Sequence, residues 1–214
     1  MPVCRQIQDI RESIRQRVNT GDRLYAVLEG TGDKRALHER VSASELSLFF
    51  LYYDTDFEKL MHISPMLLSI PPKSSFLDWM LEEGMTAHAG ILACGSCEPT
   101  RVRRHFQDLL EVILPDLNLA LFRFYDPVVL HRYAYVVDDQ ARLRLLGPLS
   151  ACFWPRCSPG GETRWHSLAS DLSASAKDDD APPPPVRVTE AQMNSFEQAY
   201  EKEFAARLLS HFAS

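Results

Sequence analysis

The sequence predicts an α/β fold: a three-layer domain with a mixed, mostly parallel sheet, followed by a Pro-rich linker and a C-terminal amphipathic helix. Three observations carry this. Short apolar runs of strand length alternate with amphipathic stretches between residues 22 and 168. Ser170 to Val186, SDLSASAKDDDAPPPPV, abandons that pattern for small polar residues, an acidic run and four consecutive prolines. From Thr189 onward the chain contains neither Gly nor Pro.

Taken in order, Ile7, Ile10, Ile14 and Val18 recur at helical spacing with charged residues between them, and Gly21 supplies a stop, so residues 5–19 predict an amphipathic helix. Leu24 to Leu28 (LYAVL) reads as a strand, and Gly30-Thr31-Gly32-Asp33 turns the chain into a short polar helix through His38. Leu46 to Tyr53, with four aromatics, reads as another strand. Asp56 caps a single turn ending near Met61, and Pro65 to Ile70 is a strand stopped by Pro71-Pro72. Ser74 or Ser75 opens a helix with Phe76, Trp79 and Met80 on one face, closed by Gly84.

His88 to Ala93 is a short strand. Glu98-Pro99-Thr100 then begins a helix carrying Val102, Phe106, Leu109, Leu110 and Ile113 on one side and ended by Pro115. Asn118 to Leu130, NLALFRFYDPVVL, reads as one buried strand over 118–125 followed by a helix to about Tyr135, with Asp126 as N-cap and Pro127 at the first helical position. A second helix from Asp138 to about Leu146 directs Leu143 and Leu146 inward. Ala151 to Trp154 and Trp165 to Leu168 read as late edge strands around Ser158-Pro159-Gly160-Gly161. After the linker, Thr189 and Gln192 form a capping box. Met193, Phe196, Tyr200, Phe204, Leu208 and Phe212 then follow at three- and four-residue steps as an apolar ridge. The units are therefore residues 1–20, a helix packed on the core; 22–169, an α/β domain; 170–188, an acidic and Pro-rich linker; and 189–214, a helical lobe.

Composition narrows the function. Across 214 residues, a net charge of −6 argues against a general phosphate-binding surface and hence against nucleic acid. The N-terminal stretch MPVCRQIQDIRESIRQRV has no apolar run of signal length, and Leu48 to Tyr53 is too short to span a bilayer, so the expectation is a cytoplasmic protein without a membrane partner. Five cysteines suit reduced thiols better than a disulfide framework.

Chemistry is weakly signalled. Arg123, Tyr125 and Asp126 crowd a strand end, where α/β proteins tend to place ligands. The alternative is a structural corner of Arg123, Asp126 and Pro127, in which Arg123 pairs with Asp126 and Tyr125 packs. Cys94-Gly95-Ser96-Cys97 lies between a strand and a helix, where the helix dipole favours a thiolate; Glu98 opposes it, and the aromatic residue usual before such a pair is missing. Cys94, Cys97, Cys152 and Cys157 offer an alternative four-thiolate zinc set. Arg101, Arg103 and Arg104 read as a solvated helix face. His38, His62, His88, His105, His131, His166 and His211 show no metal-ligand spacing, and no nucleophile elbow, phosphate loop or dinucleotide fingerprint is present. No cofactor and no catalytic residue is expected.

Taken together, LYAVLEG, ISPMLLSI, SSFLDWMLEEG, HAGILACGSCEPTRVRRHF, ALFRFYDPVVL and LLGPLSACFW, in that order, resemble the adaptor-chaperone family of bacterial type VI secretion systems, and VTEAQMNSFEQAYEKEF is similar to the start of that family's C-terminal helical lobe. The resemblance covers roughly residues 22–168 and 187–212. It implies a non-enzymatic adaptor chaperone that binds a cognate effector and promotes its loading onto the spike, with the effector as partner and a VgrG or PAAR-type spike protein as a further one. The apolar ridge of the helix either docks on its own α/β domain or, carried out by the linker, is buried in a groove of another protein; with the adaptor role, effector binding is expected of Met193, Phe196, Tyr200, Phe204 and Leu208 of the helix and of Arg123 and Tyr125 of the corner. Two departures are the single helix after the linker and the Cys94/Cys97 pair, which that family does not require. The alternative function is a thiol-disulfide oxidoreductase or zinc-stabilised domain using Cys94 and Cys97.

Overall fold

The computed structural model describes residues 1–30, 39, 41, 46–71, 74–84, 90–157, 162–170 and 186–198. In chain order these form β1 (Val3–Arg5), α1 (Ile7–Asn19), β2 (Arg23–Leu28), β3 (Ser47–Phe50), a 3-10 turn (Glu58–Ile63) and β4 (Met66–Ile70). Then come α2 (Phe76–Trp79), a π turn (Met80–Gly84), β5 (Gly90–Gly95), α3 (Pro99–Asp108), β6 (Glu111–Ile113) and β7 (Leu119–Leu121). The chain continues through α4 (Pro127–Val136), α5 (Asp139–Leu146), β8 (Ala151–Cys157), β9 (Thr163–Ala169) and β10 (Val186–Arg187). The last described element is helix α6 over 190–198.

The large sheet has seven strands in the order β1-β9-β8-β5-β2-β4-β3. Every neighbouring pair in it is antiparallel, which overturns the expectation of a mostly parallel sheet. The reason lies in burial. β5 is buried at all six positions and β2 at all but its first, so both read as the continuous apolar runs typical of parallel strands. Their burial comes from coverage of both faces of an antiparallel sheet. Along β2 the side chains alternate between two cores: Leu24, Ala26 and Leu28 meet Ile10 and Ile14 of α1 with Phe76, Met80 and Trp165, while Tyr25 and Val27 meet Val102, Phe106, Leu130, Tyr133 and Trp154 on the opposite face.

β8 and β9 are interior strands, because β9 pairs with β1 as well as with β8. That corrects their reading as edges; the N-terminal segment closes the sheet as a strand that precedes the first helix. α1 places Ile10 and Ile14 in the core as its periodicity requires. The residues around 31–38 and 85–89, and with them the polar helix through His38, lie outside the described residues.

The second core is roofed by a three-stranded sheet of order β10-β6-β7. Helix α3 ends at Asp108, so Ile113 belongs to β6 and the helix expected to run on toward Pro115 is shorter. Val112 and Ile113 are β-branched, and the turn at Asp116 to Asn118 lets the chain fold straight back: Asp116 Oδ1 accepts the Asn118 N–H at 3.1 Å. The strand expected over 118–125 is only β7, and Leu119 is 65% exposed, not buried. In α5, Leu146 is buried but Leu143 is 46% exposed, so only one of the two points inward. β10 emerges from what read as linker and joins β6 in parallel, with Val188 N–H donating to the Ile113 carbonyl at 2.9 Å.

Candidate functional site

The corner after β7 is built from aromatic packing. Phe124 is fully buried and stacks on Phe106 of α3 at 5.2 Å, while Phe122 meets Tyr133 of α4 at 4.7 Å. Tyr125 is buried at 3% exposure, and its hydroxyl shares a 3.0 Å hydrogen bond with Tyr52. Burial, then the bond to Tyr52, pushes the Tyr125 phenol pKa up, so its hydroxyl keeps its proton at neutral pH. Arg123 pairs with Glu29 at the end of β2 and lies 3.6 Å from Asp126. Asp126 Oδ1 accepts the Val128 N–H at 2.8 Å, and Pro127 is the first residue of α4.

Of the corner residues assigned to effector binding, then, Tyr125 is enclosed by its own core and Arg123 is tied to two carboxylates. The arrangement is a lock between β2 and α4. Asp126→Ala is expected to lower stability by about 0.5–2 kcal/mol through loss of the cap, read as a shift of the denaturant midpoint. A midpoint equal to the parent's would exclude the capping role.

On α6, Thr189 and Gln192 exchange the two bonds of a capping box, at 2.9 and 3.3 Å. Met193 and Phe196 are partly buried against the second core, and the Phe196 ring stacks 6.4 Å from Tyr133. The start of the ridge therefore rests on α4 of its own domain. Tyr200, Phe204 and Leu208 lie outside the described residues.

The four cysteines with described side chains are free thiols. Cys94 and Cys152 sit on neighbouring strands but face opposite cores, one on each side of the sheet. Burial raises the pKa of both, that of Cys152 to about 12, opposite in direction to a reactive thiolate. Cys97 donates weakly to the Pro148 carbonyl at 3.6 Å, and its own carbonyl accepts the Tyr25 hydroxyl at 2.8 Å. Glu98 is held by Arg23 through contacts of 2.5 and 2.7 Å. With Cys94 and Cys152 turned to opposite faces, the four-thiolate set does not converge, and among the described residues no group of three or more His, Cys, Asp or Glu is placed to hold a metal. No helix among them is long and apolar enough to cross a membrane.

Sequence reasoning missed a cleft of about 400 Å³ between the turn after β3 and the end of α3. Asp54, Asp56, Asp108 and Glu111 line it against a single guanidinium, Arg104. Gln107 donates to the carbonyls of Leu51 and Tyr53 at 3.2 and 2.8 Å, which fixes the turn against α3. Burial raises the Asp108 pKa, opposed by Arg104 and Arg144. Arg103, read as part of a solvated face, lies over the Tyr53 ring at 5.6 Å. The carboxylates come from segments some fifty residues apart, and the only local signal was the acidic pair at 54 and 56.

A model of a family described as a domain of unknown function (DUF4123) matches residues 24–144, more than half of the chain. None of the curated proteins and none of the solved structures compared matches it.

Proposed function

This chain belongs to the DUF4123 family, and from that premise we propose that it is an adaptor chaperone that binds a cognate type VI secretion effector and promotes its loading onto a VgrG or PAAR-type spike protein, without catalysis. The observation that carries the reading is coincidence of position: the family match at 24–144 falls within the stretch whose ordered motifs resemble type VI adaptor chaperones. The geometry supports it in a second way. Polar groups that looked chemical at the corner are spent on holding β2 to α4, while α6 begins on the same helix, so the rigid part of the protein serves as a base for the helical lobe.

In this reading the α/β domain is scaffold and the lobe that starts with Met193 and Phe196 contributes to the grip. Apolar side chains at such an interface contribute on the order of 1.5–3 kcal/mol each. Changing Phe196, Tyr200 and Phe204 together to Ala is expected to abolish co-purification with the effector encoded beside the gene, while the folded domain remains. Binding as tight as the parent's would remove the lobe from the grip. The adaptor works in the producing cell's cytoplasm, where its five thiols remain reduced.

A further inference from the structure

Among the described residues, the three-stranded sheet is completed on one side only. β10, from a distant part of the chain, already adds to β6; β7 on the other side ends the sheet. Two hydrogen bonds bracketing the hairpin, Phe122 N–H to Leu110 C=O at 2.7 Å and Leu114 N–H to Asn118 C=O at 2.9 Å, fix its alternation. Asn118, Ala120 and Phe122 direct their backbone groups at β6, so Leu119 and Leu121 direct theirs away from it. Among the described residues, no backbone group pairs with that edge.

Among the described residues, the edge also lacks the usual protection. β7 reads Leu-Ala-Leu, with no charge, proline or bulge, and Leu117 and Leu119 are 73% and 65% exposed. Leu119 stands opposite Ile113 and Leu121 opposite Glu111, and Glu111 lines the cleft shared with Asp54, Asp56 and Asp108. An apolar strand edge thus lies one strand away from a cleft with four carboxylates and one guanidinium.

We propose that the free edge of β7 is a docking site for an extended, lysine- or arginine-bearing segment of another protein, which adds to the sheet as a fourth strand over Leu119 and Leu121 and places its cationic end at the acidic cleft. Charge selects this occupant over a second copy of the chain: pairing two β7 edges would bring two such clefts together in a protein of net charge −6. Main-chain bonds to Leu119 and Leu121 supply affinity, Leu117 and Leu119 supply apolar contact, and the cleft supplies selectivity. The proposal deepens the adaptor reading by naming where a client is held, and rests on that reading for the nature of the partner.

The test uses the full chain and three synthetic peptides, each an alternating valine-threonine strand: one with two lysines at each end, one with two glutamates instead, and a copy of the first with alternate backbone amides methylated. The lysine peptide is expected to bind about tenfold more tightly than the glutamate peptide, to slow amide exchange at Leu119 and Leu121, and to lose binding when methylated. L117K/L119K, at exposed positions, is expected to fold as the parent does and to lose the peptide. Equal binding of all three peptides, no binding of any, or binding that survives L117K/L119K overturns the proposal. Concentration-dependent dimerisation of the parent that L119K removes would give the edge to a second copy and overturn it as well. If the chain co-purifies with its neighbouring effector while the peptides fail, the adaptor reading stands and only the edge is lost.

Discussion

Replacing Trp154 by Ala is expected to destabilise the folded chain by about 3–5 kcal/mol, the range for removing a buried aromatic from a core that cannot collapse around the gap. Trp154 is fully buried in the interior strand β8, and its ring stacks 6.0 Å from His166 on β9. Its indole N–H donates to His131 Nδ1 of α4 at 3.4 Å. His131 and His166 also meet each other at 4.5 Å. Removing the indole therefore empties volume and takes away one hydrogen bond to His131. Chemical denaturation checks this, with Trp154→Phe retaining much of the packing; a loss below about 1 kcal/mol for Trp154→Ala would contradict the core described here.

Acidification is expected to produce the second large effect. His105 lies in the second core, its Nε2–H donating to the Leu145 carbonyl at 3.0 Å. Its ring packs on Gly147, whose backbone has φ of 53° and where a Cβ would strike the imidazole. Burial lowers the His105 pKa from 6.5 to about 4, against a raising contribution from the Leu145 bond. The folded state is thus the weaker base, and the unfolded state takes up the proton first. Stability from this group is fully present above pH 6.5 and is lost progressively as pH falls from 6.5 toward about 4, a total of about 3 kcal/mol. His166, lowered chiefly by burial and then by Arg156 and Arg164, adds in the same direction. Unfolding midpoints of the parent and His105→Gln between pH 7.5 and 4 decide the point: the parent falls more steeply, and identical slopes would refute the linkage.

How much of this was visible beforehand depended on where the information resides. Apolar runs located β2, β4 and β5, and caps located α4 at Asp126, α5 at Asp138 and α6 at Thr189, because each depends on a few adjacent residues. Strand direction was not visible, since residues buried on both faces look alike in a parallel and an antiparallel sheet. The end of α3 was misplaced because Leu109, Leu110 and Ile113 continue a helical period beyond Asp108, through the turn and into β6. At the corner, the pairing of Arg123 with Asp126 was legible from their spacing, but Glu29, some ninety residues earlier, was not. The acidic cleft was illegible for the same reason, as only the folded chain brings residues 54 and 56 beside 108 and 111.

The same fold organises the proposed role. A two-sided core fixes the corner, the corner fixes α4, and α4 receives the first turns of the helix after the linker. A client-gripping lobe gains from such a base because a rigid platform loses less entropy on binding.

The most direct test of the adaptor role is to co-express the full chain with the effector protein encoded beside its gene and to measure the mass of the purified species by light scattering after gel filtration. The account predicts a single stoichiometric complex that stays intact at micromolar concentration. Two separate peaks, each at the mass of the isolated protein, would contradict it.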